Sequence, residues 1–299
     1  MKLTKNQFLI LEYLEANGGK ATQRVLATAL DLSLGSINKA MGELRHLQYI
    51  EEDGRLTEEG ILALEPYRAK RAIFLAAGFG ERLIPITLNT PKPLVRVNGK
   101  RIIDTLLDAV TAIGIEEIYI VRGYLAEQFD QLLYRYPNIQ FLENPMYGES
   151  NNISSMMVAR YLLKNAYVFE ADIFLRNPSL IKKYHYNSNY VALPVDVTDD
   201  WCFTMEGEHI ATMMQGGAEC YREYGISYWS KEDGATLPEH IRTVYETIPG
   251  GKERFWDTVP IEYYHDNYRI TIRECQEEDL VEIDTFRELK EMDSSYDVK

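Results

Sequence analysis

A short segment in the first half of the chain concentrates residues that could wrap phosphate groups. The segment FLAAGFGERLIPITLNTPKPLV occupies residues 74–95. Gly78 and Gly80 let the backbone approach a ligand closely and turn its N–H groups toward it. Arg82 and Lys92 add fixed positive charge, and two prolines restrict the backbone around Lys92. The pattern predicts a phosphate-binding loop after a strand, and since it lacks GxxxxGK[ST] it excludes a Walker-type NTPase.

Composition limits the class of protein around this loop. The 299 residues are 45% apolar and 26% charged, which allows two domains with sizeable cores. The net charge of −14 argues against broad binding to nucleic acids or membrane surfaces, because both rest on excess Lys and Arg. Three scattered cysteines predict no disulfide framework and no zinc site. No apolar run approaches the roughly 18 residues of a membrane span, so we expect a cytoplasmic protein.

Residues 1–66 form a separate pattern. Three amphipathic helical segments are followed by an alternating stretch around Asp53-Gly54, a strong hairpin signal. Ser33 is a plausible N-cap for the third helix. Three helices and a two-stranded wing resemble the winged helix-turn-helix family.

The charge of this winged-helix region bears on whether it reads DNA. Residues 1–66 hold seven Lys or Arg and ten Asp or Glu, a net of −3, and the wing carries acids where phosphate contacts would need bases. DNA binding through the third helix stays possible. A packing, dimerising or regulatory module is the favoured interpretation, and the oligomeric state is left open.

A polar linker at 65–71 leads into alternating strands and helices, so we predict a second domain over residues 67–299. The order predicts an α/β fold with a Rossmann-like, mostly parallel sheet covered by helices on both faces. Ligands in such sheets bind beyond the carboxyl ends of the strands. The last third is richer in Tyr, Trp and short strands, and we expect it to complete the pocket.

The full string G-x-G-x-R-L-x-P-x-T-x-x-x-P-K-P-L resembles the signature loop of the sugar-1-phosphate nucleotidylyltransferase superfamily. Within it, residues 72–299 most resemble the bacterial CTP:phosphocholine cytidylyltransferases. The further matching segments are VRGYLAEQF, ENPMYGESNNISSM, FEADIFL, GISYWS, RFWD and VEIDTFRELKEM. The resemblance implies a nucleotidyltransferase fold and transfer of CMP from CTP to phosphocholine, with release of pyrophosphate.

The resemblance also implies roles for individual residues. Arg82 and Lys92 would hold the triphosphate, because negative charge must be neutralised where the two phosphates meet. The nucleotide would be bound by Ala77, Gly78, Gly80, Tyr124, Asn151, Asn152 and Ser155. For Asn152, a helix N-cap and a contact to base or ribose are equally good interpretations.

Two aspartates are the candidate ligands of a magnesium ion. Asp172 and Asp284 each follow an apolar run, so both are expected at strand ends, where Mg²⁺ could join two carboxylates to phosphate oxygens. Two positions depart from the family pattern. Glu81 stands where a small hydroxyl residue is usual, and Glu170 stands where Asp is common.

The acceptor site is predicted from aromatic residues in the last third. Aromatic faces bind quaternary ammonium groups, and an acid beside them would suit choline. The candidates are Trp201, Tyr228, Trp229, Trp256 and Asp257. Two alternatives remain open: the same chemistry on 2-aminoethylphosphonate or a sugar-1-phosphate, and a transcriptional regulator that only senses a nucleotide. A primary amine would favour carboxylates over an aromatic cage.

Overall fold

The computed structural model describes residues 2–297, which fall into two compact units. The first contains the described residues up to Arg68 together with Tyr184–Tyr186, and the second contains Ala69–Lys183 and the chain from Asn187 onward. The sequence-based boundary at 66/67 lies close to this division but did not anticipate the short segment near residue 185.

The first unit is a small helical domain. Its helices are α1 (Lys5–Ala16), α2 (Gln23–Ala29), α3 (Leu34–His46) and α4 (Glu58–Leu64). Thr4, Thr22, Ser33 and Thr57 each accept a backbone N–H with the side chain and so cap one helix. The expected N-cap at Ser33 is therefore present. Helix α4 is a correction, since three helices were expected in this region and residues 58–60 were assigned to the hairpin.

The wing itself is reduced to one antiparallel bridge between Ile50 and Leu56. Tyr186 completes the apolar core of this unit, with its ring 5.4 Å from Phe8 and 5.7 Å from Tyr67. Its hydroxyl donates to the Leu3 carbonyl oxygen at 3.0 Å. A segment about 120 residues beyond the helices therefore closes their core, which no local sequence pattern could indicate.

The second unit is built on a seven-stranded sheet in the order β10-β8-β9-β6-β1-β4-β5. Strands β1, β4, β5 and β6 pair in parallel, whereas β9 runs antiparallel to both of its neighbours. The strands are β1 (Arg71–Ala76), β2 (Arg96–Val97), β3 (Lys100–Arg101), β4 (Glu117–Arg122), β5 (Ile139–Glu143), β6 (Ala166–Glu170), β7 (Ile173–Leu175), β8 (Asn189–Glu206), β9 (His209–Trp229), β10 (Thr271–Glu274) and β11 (Leu280–Glu282). The predicted α/β class with a mostly parallel sheet is confirmed.

Helices cover both faces of this sheet. They are α5 (Ile102–Ala112), α6 (Ile153–Ala159), α7 (Asp233–Thr247) and α8 (Phe286–Met292), joined by several short 3₁₀ turns. Strand β1 shows why both faces must be covered, because Phe74 belongs to one apolar core and Ile73 and Leu75 to the other. Within residues 2–297, no helix combines the length and apolarity needed to cross a membrane.

Two expected elements differ from the structure. Residues 126–134 form a 3₁₀ helix rather than an α-helix. The run AYVFEADIFL, expected to be one strand, is split: β6 ends at Glu170 in the large sheet, and β7 pairs with β11 in a separate two-stranded sheet. The break lies at Ala171-Asp172, so the predicted aspartate lies at the carboxyl end of β6 next to β1.

Candidate active site

A cavity of about 480 Å³ opens at the carboxyl ends of the central strands. It is lined by the loop after β1, by the turn before α6, and by residues that follow β5, β6 and β11. Of the predicted site residues, the cavity is lined by Ala77, Gly78, Gly80, Arg82, Lys92, Asn151, Asn152, Ser155, Asp172 and Asp284. The fold thus brings together residues that are as many as 207 positions apart in the sequence.

The loop after β1 is held in shape by contacts within itself. Gly80 has φ +66°, and a Cβ there would lie 3.0 Å from the Cβ of Lys92 and 3.1 Å from Thr87. The Thr87 hydroxyl donates to the Gly80 carbonyl oxygen at 2.9 Å. Glycine is therefore required for the loop to fold back onto Lys92. Tyr124, which was predicted to bind the nucleotide, is not among the residues that line the cavity. Its hydroxyl donates to the Thr87 carbonyl oxygen and so stabilises the loop.

Lys92 is the central cation of the site. Only 9% of the residue is exposed, and its Nζ donates to Asp172 Oδ2 at 2.9 Å and to Asp284 Oδ1 at 2.8 Å. Burial alone would lower the pKa of Lys92, but the two carboxylates outweigh it and raise that pKa above its ordinary value. The ammonium is therefore charged at any physiological pH. Arg82, which is far more exposed, also donates to Asp284 Oδ1, at 2.7 Å.

Three carboxylates form a group that suits a divalent cation. Asp172, Glu282 and Asp284 each offer one oxygen within 4.8 Å of the others. Asp172 Oδ1 is buried and has no hydrogen-bond partner. A donor set made only of carboxylate oxygens, with one unused, fits Mg²⁺. Glu282 was not predicted, although it lies two residues before Asp284, where strand periodicity puts it on the same side.

Asn144 organises the part of the cavity that follows β5. Its Nδ2 donates to the hydroxyls of Ser154 and Ser155, at 3.0 Å each, and its Oδ1 accepts the N–H of Met146. Asn144 and both serines are almost completely buried. Phe79 and Tyr147 line the cavity nearby, with ring centroids 5.3 Å apart. These apolar and hydroxyl groups form a surface suited to a flat polar ring, and sequence reasoning had singled out only Ser155.

The turn before α6 is tied to a distant segment. The Asn151 N–H donates to the Lys252 carbonyl oxygen at 2.8 Å, and its Nδ2 donates to that of Glu253. Asn152 Oδ1 accepts the N–H of Trp256 at 2.9 Å, while its Nδ2 donates to Glu170 Oε1 at 2.8 Å. Asn152 stands at the N-cap position of α6, but its side chain makes no cap hydrogen bond. Both polar atoms of the Asn152 side-chain amide, Oδ1 and Nδ2, therefore make hydrogen bonds within the protein.

The predicted aromatic cage is not brought together. Tyr228 and Trp229, adjacent on β9, are fully buried in the two opposite cores, and Trp256 is buried with its ring 5.6 Å from Trp229. Only Trp201 is half-buried, with its ring 5.3 Å from Phe255, which lines the cavity. The physical reason is that both faces of the sheet are covered at the end of β9, so neither Tyr228 nor Trp229 is free to meet a ligand.

Four acids in or near the cavity have raised pKa values. Glu170 lines the cavity, and burial, followed by Asp172 and Asp257, raises its pKa to about 8. Burial likewise raises the pKa of Asp257 to about 7, although the Tyr190 hydroxyl donates to it. The pKa values of Glu223 and Glu282 are raised well above the ordinary range by burial and by neighbouring carboxylates. These acids have few positive groups near them. A cation bound beside them would therefore stabilise their ionised form.

Gly225 provides the space that Glu170 occupies, and a substitution there should show it. A Cβ at Gly225 would lie 2.7 Å from the Cβ and Cγ of Glu170, and the residue has φ +63°. We expect Gly225→Ala to lower stability by about 2–3 kcal/mol, because backbone strain adds to overpacking. Gly207→Ala is the matched control, since Gly207 has φ +61° but no atom within 4 Å of the added Cβ. Equal losses of melting temperature in the two variants would contradict the steric explanation.

The fold and the site together define a class of protein. It is a nucleotidyltransferase that has a glycine loop after the first strand of the sheet, with the three carboxylates of Asp172, Glu282 and Asp284 across the cavity from that loop. Comparison agrees, because residues 71–192 match the family model for nucleotidyl transferases. The chain is 34% identical over 229 residues to the 2-aminoethylphosphonate cytidylyltransferase of Lancefieldella rimae, covering 75% of this chain and 92% of that protein. The chain therefore belongs to the nucleotidyl transferase family, among its cytidylyltransferases.

Two further relatives carry a different acceptor in their names. The choline-phosphate cytidylyltransferase of Streptococcus pneumoniae is 28% identical, covering 75% of this chain and 96% of that protein. The solved structure of the CTP:phosphocholine cytidylyltransferase from the same species superposes with a TM-score of 0.65 at 29% identity, covering 74% of this chain and 97% of that one. The reaction class is thus shared by the relatives, whereas the acceptor differs among them.

The first unit was also recognised by comparison. Residues 3–51 match a family model of winged helix-turn-helix DNA-binding domains. On α3, however, Lys39 is exposed and Arg45 is only partly exposed, and outside this helix the Lys20 ammonium is paired with Asp53 at 2.7 Å. A basic face, which a DNA reader would need for phosphates, is therefore not formed by this helix.

Proposed function

We propose that the protein transfers CMP from CTP to a small acceptor that carries a phosphonate or phosphate at one end and a primary ammonium at the other, with 2-aminoethylphosphonate the best candidate. The observation that carries this proposal is the acidic group around the cavity: Glu170 lines it, and Asp257 and Glu223 lie close enough to Glu170 to interact electrostatically. A primary ammonium has N–H donors for such carboxylates, whereas a quaternary ammonium has none.

The reaction follows from the charges around the cavity. An acceptor phosphonate oxygen is already a nucleophile, so no general base is required. It attacks the α-phosphorus of CTP, the bond from that phosphorus to the pyrophosphate oxygen breaks, and pyrophosphate leaves. Lys92 and Arg82 would neutralise the negative charge that accumulates there, and the loop glycines would offer backbone N–H groups.

Magnesium is the cofactor expected at Asp172 and Asp284, with Glu282 beside them. When bound, the ion would neutralise phosphate oxygens and draw the nucleotide to a fixed position. The residues of the chain have a separate task, which is to hold Lys92 between the two aspartates and to keep water from the reacting groups.

Phosphocholine is the second candidate acceptor, and one observation favours it. Trp201 and Phe255 form an edge-to-face pair at the cavity, and an aromatic face attracts a quaternary ammonium. A single pair is less than the three-sided cage expected from the sequence. Sugar-1-phosphates are less favoured, because a neutral sugar would leave the buried carboxylates without a counter-charge.

The test is pyrophosphate release with CTP across a matched series of acceptors. We expect kcat/KM for 2-aminoethylphosphonate to exceed that for phosphocholine by about tenfold or more, the loss of a charge-assisted hydrogen bond being about 1.5–3 kcal/mol. Phosphoethanolamine carries the same primary ammonium on a phosphate ester, so it distinguishes recognition of the ammonium from recognition of the phosphonate. Glucose-1-phosphate carries no cation. A preference for phosphocholine would move the proposal to the second candidate, and a preference for the sugar phosphate would contradict both.

One variant ties the preference to the acidic group. Glu170→Gln should raise the KM for an amine-bearing acceptor by about tenfold, while the KM for methylphosphonate, which has no ammonium, stays unchanged. The control is Glu149→Gln, because Glu149 is an exposed acid in the turn before α6. Equal effects of Glu170→Gln on both acceptors would show that the carboxylate does not recognise the ammonium.

A further inference from the structure

Asn152 was predicted to contact the nucleotide, yet its side chain is engaged in a different way. Its amide oxygen accepts the N–H of Trp256, 104 residues later, and its amide nitrogen donates to Glu170, the last residue of β6. The same asparagine therefore joins the end of a central strand to the 252–257 segment. That segment contributes Phe255 to the cavity and Asp257 to the acidic group.

The neighbouring residues make the same connection through the backbone. The Ser150 hydroxyl donates to the Lys252 carbonyl oxygen at 2.6 Å, and Asn151 bonds to Lys252 and Glu253. These bonds hold the beginning of the 252–257 segment. The Asn152 bond alone reaches Trp256, between the cavity-lining Phe255 and the buried Asp257. Losing it would remove the hydrogen bond that fixes the backbone between Phe255 and Asp257 to the end of β6, while the Trp256 ring stays packed against Trp229.

We propose that Asn152 is a positioning residue for the acceptor: through Glu170 and Trp256 it holds the ammonium-binding side of the cavity in place, and it does not read the nucleotide. The inference rests on the proposed function only in that the acceptor enters beside Glu170 and Phe255. It assigns Glu170 a second task, because this side chain, longer than that of an aspartate, reaches the Asn152 amide. Gly225 leaves the space that this longer side chain needs.

The first test separates the two substrates kinetically. Asn152→Ala removes a half-buried amide and leaves the Trp256 N–H without its partner, so we expect the acceptor KM to rise by about tenfold or more. The dissociation constant of CTP, measured by calorimetry without acceptor, should change by less than about threefold. The acceptor is whichever compound the wild type uses best, so the result does not depend on its identity. Asn138→Ala, which removes one exposed bond to Glu116, is the control.

The second test exchanges the two groups that share the bond. In Asn152→Asp, two carboxylates face each other and the acceptor KM should again rise by about tenfold. In the double variant Asn152→Asp with Glu170→Gln, the glutamine amide can donate to the new carboxylate, whose other oxygen still accepts the Trp256 N–H. The number of acids is unchanged. Because Glu170→Gln alone is expected to raise the acceptor KM, the reference is that single variant: we expect the KM of the double variant to stay within about threefold of Glu170→Gln, not about tenfold above it as two independent losses would give.

The outcomes divide cleanly. A double variant no worse than Glu170→Gln, with CTP affinity retained throughout, supports positioning. A loss of CTP affinity as large as the loss of acceptor affinity would overturn the proposal and restore Asn152 to the nucleotide site. A double variant about tenfold worse than Glu170→Gln would also overturn it, because the two residues would then act independently. If Asn152→Ala does not fold, the exchange pair still decides. Failure of the amine preference changes the acceptor used but leaves this comparison intact.

Discussion

Replacing Lys92 with alanine is expected to reduce the turnover number by on the order of 10²–10³-fold, the loss seen when one donor is removed from a preorganised charge-stabilising site. The ammonium is held by two carboxylates and buried among prolines and the glycine loop, so its position is set before substrate arrives. The measurement is kcat for pyrophosphate release at saturating CTP and acceptor.

Lys164→Ala is the control for the loss of a lysine, because that side chain is exposed and lies outside the cavity. Asp172, Glu282 and Asp284 lose a neighbouring counter-charge in Lys92→Ala, so a melting curve must accompany the kinetics. A folded variant with less than a threefold loss of kcat would show that Lys92 neutralises the aspartates but has no part in the reaction.

Asp172→Asn is expected to lower turnover by on the order of 10²-fold or more, since a metal ion supplies several kcal/mol of charge stabilisation and would lose a ligand. The substitution retains an oxygen that can accept the Lys92 hydrogen bond, so it tests the charge rather than the shape. A second measurement is independent of activity: Mn²⁺ binding in the presence of CTP, followed by electron paramagnetic resonance, should weaken by about tenfold or more.

Asp196→Asn is the matched control, because Asp196 is exposed on β8 and lines no part of the cavity. Wild-type turnover and Mn²⁺ affinity in Asp172→Asn would remove this residue from the metal site. A loss of turnover with unchanged Mn²⁺ affinity would assign Asp172 to holding Lys92 instead. The two measurements therefore separate the two contacts that the structure shows for this carboxylate.

Much of the nucleotide side could be predicted from the sequence, because it is encoded locally. The glycines, Arg82 and Lys92 lie within 15 residues of one another. The conformational freedom of glycine and the positive charges can therefore be recognised from this segment alone. The alternation of strands and helices predicted the sheet for a similar reason, since apolar periodicity depends on neighbours in the chain. Asp172 followed from the rule that the residues after core strands meet at one edge of a parallel sheet, whereas Asp284 follows β11, which pairs with β7 outside that sheet.

The sequence by itself therefore determined the fold class, the glycine loop after β1 and the two aspartates that line the cavity with it. The tertiary structure decided the acceptor side. Trp229 and Tyr228 could not be assigned to core or cavity from the chain alone, because that depends on which faces of β9 other elements cover. The partners of Asn152 are Glu170 and Trp256, 18 and 104 residues away. Residue types show what an amide or an aromatic ring can bind, but only the packing of distant segments decides what lies within its reach.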